Sequence, residues 1–150
     1  MKKGLVVLAV LAGLLSVVVS ASLAAPVQER ACGKVALHFK GALESSLTTS
    51  GAVAATGRFT ATGAIIDKGA FTDYWTQKNS TLAVRRVMVG KKGTITFVIL
   101  FHPAARRTWT IVSGTKTYKG LHGKGTEGGG VTDFSTLDVT LRGTVCRERG

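Results

Sequence analysis

The stretch TGRFTATGAIIDKGAFTDYW, Thr56 to Trp75, decides the fold. Up to Ile66 it places Phe59, Ala61 and Ile65 on one side and Arg58, Thr60 and Thr62 on the other. That period of two belongs to a pleated strand with one buried face, not to a helix. Asp67-Lys68-Gly69 carries turn chemistry, and Ala70 to Trp75 returns as a partner strand, so the stretch reads as an antiparallel hairpin.

A second hairpin follows. In Leu82 to Val89, Leu82, Val84 and Met88 oppose Ala83, Val87 and Val89, with Arg85 and Arg86 putting one charge on each face. Gly90-Lys91-Lys92-Gly93 then turns the chain into Thr94 to Phe101, where Ile95, Phe97, Ile99 and Phe101 alternate with Thr94, Thr96, Val98 and Leu100. Upstream, Lys34 to Lys40 alternates Val35, Leu37 and Phe39 with Ala36, His38 and Lys40, which leaves His38 on the polar face. Downstream, Arg106 to Val112 reads as a strand, as does Phe134 to Cys146, whose Leu137, Val139, Leu141 and Val145 share one face. Glu44 to Gly51 reads as a polar loop, and the glycine- and lysine-rich Ser113 to Gly130 as a loop with one short strand. No segment past residue 26 has a helical period, and 19 glycines against two prolines suit short strands and tight turns. Seven or eight strands in roughly 120 residues call for a sandwich or a closed antiparallel barrel.

The first residues carry an address. Lys2 and Lys3, the apolar run Gly4 to Val19, and the tripeptides Val19-Ser20-Ala21 and Ser22-Leu23-Ala24 spell an export signal. Residues 1–24 are expected to be removed, with cleavage after Ala24 or Ala25, leaving 25–150 as one secreted or periplasmic domain. The alternative is an uncleaved anchor, since the apolar stretch approaches the roughly 20 residues that span a bilayer. Pro26 and the polar Gln28-Glu29-Arg30 favour cleavage. A lipid anchor on Cys32 is rejected, because Glu29-Arg30-Ala31 precedes it. The chain's two cysteines, Cys32 and Cys146, are expected to form a disulfide in an oxidising compartment. The bridge favours the barrel over the sandwich, since closure lays the first and last strands side by side. One cysteine at each end and three scattered histidines, His38, His102 and His122, offer no metal-ligand spacing, so neither a metal nor another cofactor is expected.

The formal charge of +12 falls to +10 once Lys2 and Lys3 leave. Such a protein is drawn to anionic membranes and envelope polymers, while the same charge also serves solubility; no specific nucleic-acid partner is expected. The clusters Arg85-Arg86, Lys91-Lys92, Arg106-Arg107 and Lys116/Lys119/Lys124 form a positive crown if their turns share a rim. Gly123-Lys124-Gly125-Thr126-Glu127-Gly128 spells GxGxxG without the strand and helix that a dinucleotide site needs. Asn79-Ser80-Thr81 has the glycosylation spelling. The eight acidic residues are isolated and no serine sits in a nucleophile elbow, which counts against an enzyme and leaves no catalytic residue to name. Asp73, between Phe71 and Trp75 on one strand face, is a charge among aromatics and belongs either at a barrel mouth or against a buried partner. With Tyr74, Trp75, Trp109 and Tyr118 it makes the candidate lining of a ligand cavity, the alternative for each aromatic being core packing.

WTIVSGTKTYKGLHGKG, Trp109 to Gly125, together with GRFTATGAIIDKGAF, Gly57 to Phe71, and KKGTITF, Lys91 to Phe97, resembles small bacterial secreted proteins of the allene oxide cyclase and dirigent-like barrel group. Lys116 and Thr117 stand where that group commonly has glycine and alanine. The resemblance implies an eight-stranded, calycin-like barrel with a cavity, and it carries no cyclase active-site pattern onto this chain. The expected function is a secreted non-enzymatic barrel binding a small apolar or amphipathic ligand. The alternatives are a basic protein that binds anionic envelope or extracellular polymers, and, third, a barrel isomerase or cyclase.

Overall fold

A computed structural model describes residues 30–44, 51–78, 81–101, 106–133 and 135–148. The export signal, the sequon residues Asn79 and Ser80, and His102 lie outside them. Eight strands run in chain order: β1 (Arg30–Leu43), β2 (Val53–Gly63), β3 (Asp67–Lys78), β4 (Thr81–Gly90), β5 (Gly93–Leu100), β6 (Arg107–Gly114), β7 (Leu121–Thr132) and β8 (Thr136–Glu148). Each pairs antiparallel with its neighbour, and β8 pairs back onto β1 to close the barrel. Closure leaves no free edge, which is how a sheet of this size satisfies its backbone groups. The Cys32–Cys146 disulfide joins two residues directly opposed across the β1–β8 seam.

The inward rows are those that alternation predicts: Val35, Leu37 and Phe39 of β1, Phe59 and Ala61 of β2, Ile95, Phe97 and Ile99 of β5, and Leu137, Val139, Leu141 and Val145 of β8 are all buried. Three local readings change. Asp67-Lys68-Gly69 opens β3 instead of forming the turn, which moves to 64–66. Ile65 tucks inward there, and the Asp67 carboxylate is claimed by backbone donors from the next hairpin, so the chain is already extended at Asp67. In β4 the inward row is Val84, Arg86 and Met88, while Leu82 is half exposed.

The largest change is β7, a twelve-residue strand where a loop with one short strand was expected. Gly123 and Gly125 are there because of close packing and not to make a turn. Trp109 on β6 faces Gly125 on β7, which faces Gly143 on β8. A Cβ on Gly143 would stand 2.6 Å from Trp109 Cζ2 and collide with the Lys124 carbonyl, and one on Gly125 would collide with the Arg142 carbonyl. The indole thus occupies a slot that only glycines leave open, and its Nε1–H donates to the carbonyls of Thr126 (3.2 Å) and Arg142 (3.3 Å). Gly143→Ala is therefore expected to destabilise the barrel by about 2–3 kcal/mol through overpacking. Gly128→Ala, where a Cβ meets nothing within 4 Å, should be near neutral. Equal denaturation midpoints for the two variants would refute this packing account.

Candidate functional site

The strand directions give the barrel two unlike ends. One end carries the disulfide, the turn between β4 and β5 and the short 3-10 turn Lys116–Tyr118. There the buried side chains Ile65, Tyr118 and Leu121 belong to the core. Tyr118 donates to Asp67 Oδ2 (2.7 Å), and the same carboxylate accepts from the backbone N–H groups of Lys68, Lys91 and Lys92. Burial opposes the charge of Asp67, but these donors outweigh it and hold the carboxyl below its usual range. Tyr118 is pushed up, first by burial and then by its bond to Asp67. This end is latched shut.

The other end is built differently. Asp73 on β3 and Arg86 on β4 are cross-strand partners, as are Arg107 on β6 and Glu127 on β7. All four side chains come from the inward rows. Arg86 donates Nε to Asp73 Oδ1 and Nη2 to Asp73 Oδ2, each at 2.7 Å, a bidentate fork. Its Nη1 reaches across the lumen to Glu127 Oε2 at 3.1 Å, and Arg107 Nη1 holds Glu127 Oε1 at 2.9 Å. The Arg86 guanidinium also lies 4.3 Å over the Phe39 ring and 5.3 Å from that of Phe71. Two arginines and two carboxylates sum to zero, the condition under which charges persist in a core. Arg86 is 2% exposed. Burial works against its charge, but the hydrogen bonds and charges of Asp73 and Glu127 win and raise its pKa further. For Glu127 burial prevails over the pull of Arg86 and Arg107, with the charge of Asp73 adding to the rise, and its carboxyl sits above the usual range.

This network floors a cavity of about 140 Å³ at the mouth. Leu43, Trp75, Phe101, Val131 and Leu137 supply much of its apolar wall, and the Trp75 and Phe101 rings meet at 5.9 Å with a tilt of 39°. Trp75 Nε1 is the one buried side-chain polar atom among the described residues without a hydrogen-bond partner. A larger concavity, about 610 Å³, is a groove on the outer wall of β2 to β4 and involves none of the network. Of the five residues singled out from sequence, Asp73 and Trp75 line the mouth cavity. Tyr74 points outward under Arg85 (4.5 Å), Trp109 is core, and Tyr118 lies at the latched end. Arg86, Arg107 and Glu127 were not anticipated. Inward phase in Val84-x-Arg86-x-Met88 and in Arg107-x-Trp109 was the available signal; for Glu127 the glycine-rich surroundings hid it.

Among the described residues no group of three or more His, Cys, Asp or Glu is placed to hold a metal, and no helix is long and apolar enough to cross a membrane. The formed disulfide is consistent with an extracytoplasmic location. No family model matches the chain, and no curated protein or solved structure does so either.

The raised Glu127 carboxyl has a definite sign in stability. The folded state binds its proton more tightly than the unfolded chain, so stability falls as pH rises from the ordinary glutamate value of 4.5 through the raised value. Glu127→Gln removes that titration. The gap in denaturation midpoint between wild type and Glu127→Gln should shift against wild type across this rise, and a shift in its favour would contradict the assignment.

Proposed function

We propose that the chain is an exported, non-enzymatic barrel that binds a small amphipathic ligand in its mouth cavity. The observation that carries this reading is the pairing of an apolar wall with one unused donor, Trp75 Nε1. A cavity of about 140 Å³ suits a body of about one aromatic ring or a short alkyl chain, because an apolar cavity of about 150 Å³ takes up benzene. A fatty acid or a polycyclic pigment needs a far larger pocket. The ligand then presents one acceptor, a carbonyl or ether oxygen, to the indole N–H.

Binding is favoured over catalysis by the state of the two carboxylates. Asp73 and Glu127 are both held by arginine, which ties up the lone pairs that a general base would offer. Export is supported by the Lys2, Lys3 and Gly4 to Val19 pattern together with the disulfide. Kinship with the allene oxide cyclase and dirigent-like group rests on the stretches Gly57 to Phe71, Lys91 to Phe97 and Trp109 to Gly125, and it assigns no activity here.

Acetophenone, one ring with one carbonyl, is the probe, titrated by calorimetry against ethylbenzene, which lacks the acceptor. Saturable binding of acetophenone is expected to exceed that of ethylbenzene by about fivefold, the worth of one hydrogen bond. Trp75→Phe should remove the preference, and Ala55→Leu, which fills the cavity from a residue that lines it, should abolish binding of both. Binding indifferent to Ala55→Leu, or none of either compound, would overturn the reading.

A further inference from the structure

The latched end gathers positive charge that no ion pair among the described residues neutralises. Lys68, Lys91, Lys92, Lys116, Lys119 and Arg147 are all exposed there. The backbone ties them into one unit: Thr117 N–H donates to the Lys92 carbonyl (3.2 Å), Lys119 N–H to the Lys116 carbonyl (3.1 Å), and the Arg147 guanidinium to the Thr117 carbonyl. Among the described side chains of this unit the one carboxylate is Asp67, and it is already engaged by three backbone N–H groups and Tyr118. Six cations less that carboxylate leave +5. The ion pairs formed by described residues, His38–Asp138 and the mouth network, all lie elsewhere.

Two further observations say what this charge meets. The outer groove of about 610 Å³ runs into this end, edged by Arg58, Lys68 and Lys91 and floored by Gly69, Ala70, Val89 and Gly90, with no acidic residue in its lining. Two apolar side chains stand in water beside the cations, Ile66 at 69% exposure and Val89 at 53%. Cations interleaved with exposed apolar groups match the boundary of a charged bilayer, where phosphates lie over acyl chains.

We propose that the latched end docks on an anionic phospholipid surface, with lipid phosphate in the Arg58–Lys68–Lys91 groove, Ile66 and Val89 at the acyl boundary, and the mouth facing away from the bilayer. A soluble phosphate polymer would use the same cations but gain nothing from Ile66. The proposal shares no residue with the mouth cavity, so either can fail alone.

The experiment is sedimentation of the exported, processed chain with phosphatidylglycerol–phosphatidylcholine vesicles, with pure phosphatidylcholine vesicles and inorganic polyphosphate as comparisons. Binding is expected for the mixed vesicles and not for the neutral ones. At about fivefold per cation, K91Q/K92Q/K116Q/K119Q should weaken it on the order of hundredfold or more. R85Q/K124Q/R142Q, which removes exposed cations from the outer wall, should leave most of it. Ile66→Ser should weaken vesicle binding about fivefold to tenfold at constant charge. Circular dichroism and thermal unfolding report whether each variant is folded. Equal losses per charge removed in the two variants, four charges against three, would reduce the effect to net charge and overturn the proposal. Full binding by the lysine variant, or polyphosphate binding as tight as vesicle binding with no effect of Ile66→Ser, would likewise overturn the proposal, as would absence of binding.

Discussion

A guanidinium in the middle of a barrel is the constraint on which the rest of this structure depends. Arg86 sits in the inward row of β4 at 2% exposure, where an unpaired charge would cost several kcal/mol. Its pairing consumes both oxygens of Asp73 on the next strand and one of Glu127 across the lumen, and the second oxygen of Glu127 consumes Arg107. Buried polar networks hold only when every member is satisfied, so strands β3, β4, β6 and β7 are fixed relative to one another at this level. Below it the lumen is filled by Phe39, Phe71, Phe97 and Trp109, in edge-to-face contact as two pairs. Above it the filling stops and the mouth cavity begins. The network is the boundary between a packed half and an open half.

Such a network is a poor way to gain stability, since apolar replacements of buried ion pairs are often neutral or stabilising. Its value is in placement. It gives an otherwise apolar pocket a polar, neutral floor, beside which Trp75 Nε1 is the one buried side-chain polar atom among the described residues without a partner. The opposite end has the reverse character. It is latched by Tyr118 on Asp67, stapled nearby by Cys32–Cys146, and dressed in exposed lysines that form no ion pair among the described residues. A closed loop of 114 residues removes on the order of 5 kcal/mol from the unfolded ensemble in the chain-entropy view, so the seam that seals the barrel also anchors its cationic end.

Much of the architecture was legible because it rests on alternation. Thr56 to Trp75 and Leu82 to Phe101 gave two hairpins, and the cysteines at the chain's extremes anticipated the seam between β1 and β8. Legibility failed where a residue's reason lies across the barrel. Gly123 and Gly125 of β7 read as loop because what they make room for, the backbone and side chains of β8, lies some twenty residues further on, and the Trp109 indole of β6 likewise covers Gly143 on β8. Asp67 read as a turn residue because its ligands come from Lys91, Lys92 and Tyr118, more than twenty residues away. Asp73 stood out as a charge among aromatics, yet its partner Arg86 looked like half of a basic pair, and Glu127 was hidden among glycines. Local pattern reports which face a residue takes, not what waits on the far wall.

The account turns on Arg86 being locked in the lumen, and the exchange of its Nε hydrogen, followed by nitrogen-15 NMR after transfer to heavy water, reports this directly. If Nε is held at 2.7 Å by Asp73 inside a closed barrel, its hydrogen should persist as long as the backbone amides of β4 and β5. Exchange at the rate of a solvated guanidinium would contradict the account.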